Sequence, residues 1–328
     1  MTERRAHNPL PTVKLSRSQY EAEMWNHLKA REGMANRIYT DDKGIPTMGV
    51  GVALAVQGKD GKFVLRKPEA IGAEITGDKN APYRFKPEEW QLLQSLTEKL
   101  NDSSLSERQK AKEARKLIPA FSSGKDAPEN NKFGFTLSEE RMKAQAFDKL
   151  PEYREAALKT VKQEALKRGW NEQDASAYVE QLRNSRQEGA LTSMRYNGVA
   201  APKASGAMVD GDRATMRKEI LYGSNPPSNG NSQVGIANRR RDEADMATGN
   251  PARWMPEEQV KWRRYEATPQ AQEYRRQFPD AFKDRPGTPV PSVPALGQRS
   301  DTIVERMKTT TPTALERPKV DSSAFPAA

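Results

Sequence analysis

Residues 31–51 read REGMANRIYTDDKGIPTMGVG, and this stretch decides how the rest of the chain is understood. It opens on a carboxylic acid, Glu32, placed where a helix would give way, with Gly33 a natural C-cap. The pattern at 37–56, interrupted at Lys43-Gly44, predicts β-strands joined by a tight turn. With Lys43 to Ile45 as a three-residue loop, Asp41 pairs opposite Thr47, and both face the same side of the sheet. Gly44 supplies the positive φ such a loop needs, and Gly49 and Gly51 leave room for a ligand close to the strand backbone. The expected product is one carboxyl at a helix end facing a carboxylate and a hydroxyl on a sheet.

Upstream, 18–31 reads as a helix: Tyr20, Met24 and Leu28 repeat on one face, and Ser18 with Glu21 forms a capping-box pattern. His27 adjoins that face and reads as structural. Downstream, Asp60-Gly61 marks a hairpin turn leading into 62–66. Helices are predicted at 87–100, with proline at the first position and a Leu93/Leu96/Leu100 stripe, and at 106–118, strongly charged. After a Gly/Pro/Asn-rich loop at 121–134, Thr136 with Glu139 opens a helix to about Leu150. Further helices are predicted at 152–168, 172–187, 189–197, 211–222 and 234–247, with a turn cluster at 225–231. The charged segment 256–276 has helical character, and from Asp284 the Pro/Thr/Ser-rich composition reads as flexible tail. One helix, a small sheet, then many helices make an α+β fold with the sheet segregated to one lobe.

Composition narrows the chemistry. The 328 residues are 35% hydrophobic and 30% charged, so part of the chain is expected not to pack compactly. No cysteine occurs, which removes disulfides, thiolate metal sites and cysteine nucleophiles, and two histidines leave little for a metal cage or a Ser-His-Asp triad. The net charge of +10 favours anionic polymers, with lysines and arginines interspersed among acids. No segment approaches the roughly 18 apolar residues of a membrane span. The first residues lack the apolar core of a signal peptide. No zinc motif or aromatic-basic stripe supports nucleic-acid binding.

Two opposed carboxyls are what glycoside hydrolysis requires: one protonates the leaving oxygen, the other attacks or activates water, and a neighbouring hydroxyl can hold that water in line. The segment resembles the catalytic stretch of the phage-type lysozymes, glycoside hydrolase family twenty-four, whose pattern is E-G-x5-Y-x-D-x2-G-x2-T-x-G-x-G. Here Glu32, Gly33, Tyr39, Asp41, Gly44, Thr47, Gly49 and Gly51 fill it without insertion. Residues 190–197, ALTSMRYN, resemble the family's central helix, and Gly235-Ile236, Arg239-Arg240 and Glu243 resemble its late G-L-x2-R-R-x2-E helix. The resemblance implies Glu32 as general acid, Asp41 and Thr47 positioning the water, and Asn197, Tyr39 and Gly51 along the binding cleft. Asn197 reads equally as a helix-end amide. Arg239 and Arg240 would brace the helices, and neither metal nor organic cofactor is implied. Val52 stands where the family usually has a polar residue, often histidine.

The resemblance implies a two-lobed lysozyme-like fold, with a small N-terminal β-lobe and a larger helical lobe. It assigns 1–15 to an arm, 16–250 to the catalytic domain with an insertion at about 53–135, and 251–328 to an extension and flexible tail. The implied partner is the peptidoglycan glycan strand. The extra segments favour a virion-associated enzyme, whose tail meets phage tail or injection proteins, over a type VI secretion effector or an ordinary endolysin. A non-catalytic tail protein that kept the fold is the rival of another class.

Overall fold

The computed structural model describes residues 7–31, 34–121, 128–224 and 234–283. Glu32 and Gly33, the turn expected at 225–231 and the tail beyond 283 lie outside the described residues. Everything described belongs to one unit, Met1–Val290. The protein is α+β: a helix-rich chain with two small antiparallel sheets.

The first helix, α1 (Arg17–Arg31), buries the expected Tyr20, Met24 and Leu28. Its cap lies two residues before the predicted one. Ser16 and Gln19 exchange the reciprocal bonds, Ser16 N–H to Gln19 Oε1 at 2.9 Å and Gln19 N–H to Ser16 Oγ at 3.2 Å. Glu21 instead accepts from Arg17 Nε at 2.8 Å. The strands β1 (Ala35–Thr40), β2 (Pro46–Gly49) and β3 (Val52–Ala53) form one sheet in that order. β4 (Ala55–Gln57) and β5 (Phe63–Leu65) form a hairpin on the Asp60-Gly61 turn, with Val56 opposite Val64.

The long segment after the sheets is itself folded. It holds α2 (Pro68–Thr76), which the sequence reading did not anticipate, then α3 (Pro87–Asn101) and α4 (Glu107–Leu117). Leu93, Leu96 and Leu100 are buried as expected. Asn101 ends α3 by holding both backbone groups of Phe63, which ties the β4–β5 hairpin down. α4 lays Ala111 and Ala114 against the β1–β2 turn, where a Cβ on Gly44 would stand 2.8 Å from the Ala111 Cα.

α5 (Glu139–Lys167) is one continuous helix with Pro151 inside it, where the sequence predicted a break. Its cap is Ser138, which accepts Arg141 N–H at 3.1 Å, rather than Thr136. α5 spans two clusters of buried side chains. Met142, Ala146 and Leu150 join the core of α1, β1–β3 and α2–α4; Ala157, Leu158, Val161 and Ala165 join a second core. Burial on both sides of Pro151 outweighs one lost backbone bond, of net worth about 1 kcal/mol, together with the ring's steric penalty.

The second core gathers α6 (Glu172–Leu182), α7 (Arg186–Tyr196), α8 (Pro202–Val209), α9 (Arg213–Lys218), α10 (Val234–Thr248), α11 (Pro256–Glu266) and α12 (Pro269–Gln277). The segment predicted as one helix at 172–187 divides at Asn184, whose φ of 56° breaks it, and Ser185 caps α7. Trp254, Trp262 and Tyr274 of the last helices sit in the same core as Tyr222. Residues 7–15 lie across these helices as a strap. Leu10 is 4% exposed and its N–H bonds Met208 C=O, while Gln187 holds both Val13 N–H and Pro11 C=O.

Gly44 and Gly61 occupy matching turn positions, with φ of 82° and 78°. An alanine at either should cost roughly 1–2 kcal/mol in backbone strain. At Gly61 the space is open to 3.9 Å, but at Gly44 the backbone of α4 is in the way, adding about 1–3 kcal/mol of overpacking. Urea unfolding should therefore show Gly44→Ala clearly the worse of the two; equal losses would mean that α4 does not press on the turn.

Candidate functional site

The β1–β2 hairpin carries three of the predicted site residues, in a register two residues from the expected one. Tyr39, not Asp41, pairs with Thr47, and Asp41 N–H bonds Ile45 C=O at 3.0 Å. The loop is therefore 42–44 rather than 43–45. The cause is the Asp41 side chain: its Oδ1 accepts Lys43 N–H at 2.9 Å and Ile45 N–H at 2.8 Å, closing the turn early around Gly44. Strand alternation still carries Tyr39, Asp41 and Thr47 to one face, with Asp41 diagonal to Thr47.

Each polar group there has a defined state. Asp41 commits Oδ1 to the turn, and Oδ2 takes no part in it. Thr47, 4% exposed, donates its hydroxyl hydrogen to Ile45 C=O at 3.0 Å and so meets any further partner as an acceptor. Tyr39 is 6% exposed and packs edge-on against Phe121, with centroids 5.3 Å apart.

Phe121 follows α4 and was not foreseen. Thr40 and the 118–121 segment run side by side: Thr40 N–H bonds Pro119 C=O at 3.2 Å and Thr40 Oγ1 donates to Ile118 C=O at 3.1 Å. Buried Arg37 reaches the carbonyls of Pro119 and Ala120. The signal in the sequence was only an unexplained arginine, Arg37, in a strand that is otherwise uncharged.

Gly49 does not leave a gap for a ligand. A Cβ there would stand 2.4 Å from Gln145 Oε1 and 3.4 Å from Leu137, so α5 fills the space. Gly51 is exposed, and the nearest atom to a Cβ there is the Tyr196 hydroxyl at 4.0 Å. That hydroxyl donates to Val50 C=O at 3.0 Å, joining the end of α7 to the β2–β3 turn. Asn197 follows as the α7 C-cap, half-buried, with Nδ2 on Ser193 C=O at 2.9 Å.

The last turn of α1 is clamped by α7 and α10. Arg31 pairs with Asp242, and Arg239 donates to Arg31 C=O at 2.8 Å. Beneath them runs a buried chain: His27 Nε2 meets Ser193 Oγ at 2.8 Å, Ser193 donates to Glu243 Oε1 at 2.6 Å, and Glu243 pairs with Arg240. All four side chains are at most 8% exposed. Burial pushes the Glu243 carboxyl up and Arg240 opposes this. Burial, aided by Arg239, Arg31 and Arg240, lowers His27 to about 3. The imidazole is thus neutral. Since the one Ser193 hydrogen goes to Glu243, His27 must carry its proton on Nε2. The chain is no nucleophile triad: the acid holds the serine rather than the histidine, and all three are inaccessible.

The three segments singled out in the sequence, 31–51, 190–197 and 235–243, thus meet around the C-terminal turn of α1. Glu32, one peptide bond beyond Arg31, is outside the described residues. No cluster of three or more metal-ligating side chains occurs among the described residues, and none of their helices is long and apolar enough to cross a membrane. No family model matches the chain, and comparison with curated proteins and with solved structures returned no match.

The buried histidine has a measurable consequence. Above about pH 6.5 it is neutral folded or unfolded; between 6.5 and 3 only the unfolded chain takes up its proton. Stability should therefore fall as pH drops through that window, by up to a few kcal/mol, and level off below it. His27→Gln should flatten this slope, and ¹⁵N spectra of the ring should show the Nε2-H tautomer down to about pH 4. A ring titrating near 6.5 would contradict the assignment.

Proposed function

We propose that this chain is a muramidase of the phage-lysozyme type, hydrolysing the β-1,4 bond between N-acetylmuramic acid and N-acetylglucosamine. The observation that carries the reading is the convergence of the three motif segments on one place, with Asp41 and Thr47 sharing a sheet face beside the end of α7. Two buried cores bridged by α5 support the finer proposal of a two-lobed lysozyme-like fold.

In this mechanism the protonated Glu32 carboxyl donates to the glycosidic oxygen as the bond to the anomeric carbon breaks. A water donates one hydrogen to Asp41 Oδ2 and the other to Thr47 Oγ1, since both accept. A lone pair of its oxygen attacks the anomeric carbon from the side opposite Glu32 as Asp41 Oδ2 takes up the water proton, and the product is inverted. Tyr39, Gly51 and Asn197 flank the glycan, with Phe121 behind Tyr39. Delivery as a virion component, in contact with phage tail or injection proteins through residues beyond about 285, is part of the same proposal. A type VI secretion effector and a free endolysin are the alternatives.

A zymogram on purified cell walls tests the reading. Wild type should clear the wall, and Glu32→Gln should lose at least about 10²-fold in rate with an unchanged circular dichroism spectrum. A wall left intact by wild type would overturn it. Asp41→Asn divides the two tasks of that residue. The amide oxygen can still close the turn, so stability should stay within about 1 kcal/mol, whereas loss of the carboxylate should reduce kcat by about 10²-fold or more. Asp41→Asn with full activity would confine Asp41 to the turn. NMR of the first product should show the α-anomer.

A further inference from the structure

The helix α4 has a cationic face on which two side chains take no ion-pair partner among the described residues. Its eleven residues carry five basic and two acidic side chains. Both acids are drawn to the helix flanks, Glu107 by Lys110 at 2.9 Å and Glu113 by Lys116 at 2.7 Å. Arg108, Lys112 and Arg115 follow at spacings of four and three, which places them on one side of the helix, and all three are exposed. Arg108 and Lys112 take no ion-pair partner among the described residues, and like charges at that spacing weaken an isolated helix. The stripe runs for roughly 10 Å along the axis.

Its position distinguishes it from an ordinary solvated face. The adjoining side, Ala111 and Ala114, roughly a quarter turn round the helix, is seated on Gly44. Arg115 donates to the carbonyls of Asp42 at 2.9 Å and Asp41 at 3.4 Å, so the stripe is bolted to the loop that carries Asp41. Exposed Lys43, beside exposed Asp42, extends it across the turn. Lys116, Lys112 and Lys99 together hold the Glu113 carboxyl below its usual range, a sign of positive potential over this corner.

We infer that the Arg108/Lys112/Arg115 face of α4 binds the carboxylates of peptidoglycan stem peptides, holding an anionic wall strand beside the β1–β2 hairpin. The choice of polymer rests on the muramidase reading; the anion-binding face does not. A carboxylate-rich strand lying along the hairpin passes over α4, and salt should weaken the contact because the stripe is open to solvent.

Co-sedimentation with purified, insoluble sacculi tests this, using full-length chain in a Glu32→Gln background so that the polymer stays intact. Arg108→Gln/Lys112→Gln should bind at least about 5-fold more weakly at low salt, and high salt should bring the parent down to the same level. Sacculi whose carboxylates have been capped as amides should bind the parent as weakly as they bind the variant. Lys203→Gln/Arg264→Gln, which removes the same charge elsewhere, should bind normally. Equal loss in that control would show net charge alone at work, and indifference to amidation would show that carboxylates are not the ligand; either overturns the inference. So would loss of duplex DNA binding in the α4 variant with sacculus binding intact. With Glu32 restored, normal hydrolysis and unaltered sacculus binding in the α4 variant would sink the inference alone. A chain that binds through α4 but never cuts the wall would sink the muramidase reading alone.

Discussion

One buried ion pair organises the centre of the protein. Glu243 and Arg240 lie in consecutive turns of α10, fully removed from solvent, and the carboxylate extends through Ser193 to His27. Such a pair contributes little net stability, because desolvating both charges offsets their attraction, but removing one partner costs about 3–5 kcal/mol. The interaction is therefore best understood as a constraint on geometry. The carboxylate has two oxygens and two fixed partners, so α10, α7 and α1 can meet in one arrangement only. The Arg31–Asp242 pair and the Arg239 bond to Arg31 C=O add a second fastening one turn further along α1. The stretch of chain that leaves α1 toward the sheet starts from a fixed place.

From there the constraint passes to the hairpin. Val50 C=O is held by Tyr196 of α7, and α5 presses Gln145 against Gly49, so the far end of β2 is set by the helices. Its turn end is set by α4 on Gly44, Arg115 on the loop carbonyls, and the 118–121 segment along β1. A three-stranded sheet of such short strands would be marginal by itself. Here both ends are held by larger elements, and α4 with the 118–121 segment is a buttress of the hairpin.

Much of this was legible in the sequence where a local rule and a long-range need agree. The 3.6-residue periodicity located α1 and α3, and the turn signals located both hairpins. The misreadings fall where two local solutions were close in energy. Ser16 and Ser18 both suit a cap, and the tertiary docking of 14–16 on the 184–186 turn chose the first. Residues 42–44 and 43–45 both suit a three-residue loop, and the Asp41 side chain chose between them. α8 escaped notice because it begins after Ala201 at a φ of 50° and is built of small residues with little periodic contrast. Phe121 and Gln145 were illegible for another reason: Phe121 acts on Tyr39 and Gln145 on Gly49, each more than eighty positions distant, and no spacing rule reaches that far. For the candidate site, the residue types and their order were readable, but the partners that fix them were not.

The strap formed by residues 7–15 has a consequence for the order of assembly. Leu10 settles against Met208 and Tyr178, Val13 and Pro11 are held by Gln187, and Lys14 reaches the carbonyls of Glu180 and Arg183. Every one of these partners lies more than 160 positions further along the chain. Closing so long a loop is entropically costly until the helices that reward it exist. During synthesis this segment, made before its partners, must wait, exposed, until α6, α7 and α8 have emerged and packed. Its docking then reports completion of the helical core, so that a chain interrupted before α8 would carry an undocked, protease-sensitive strap.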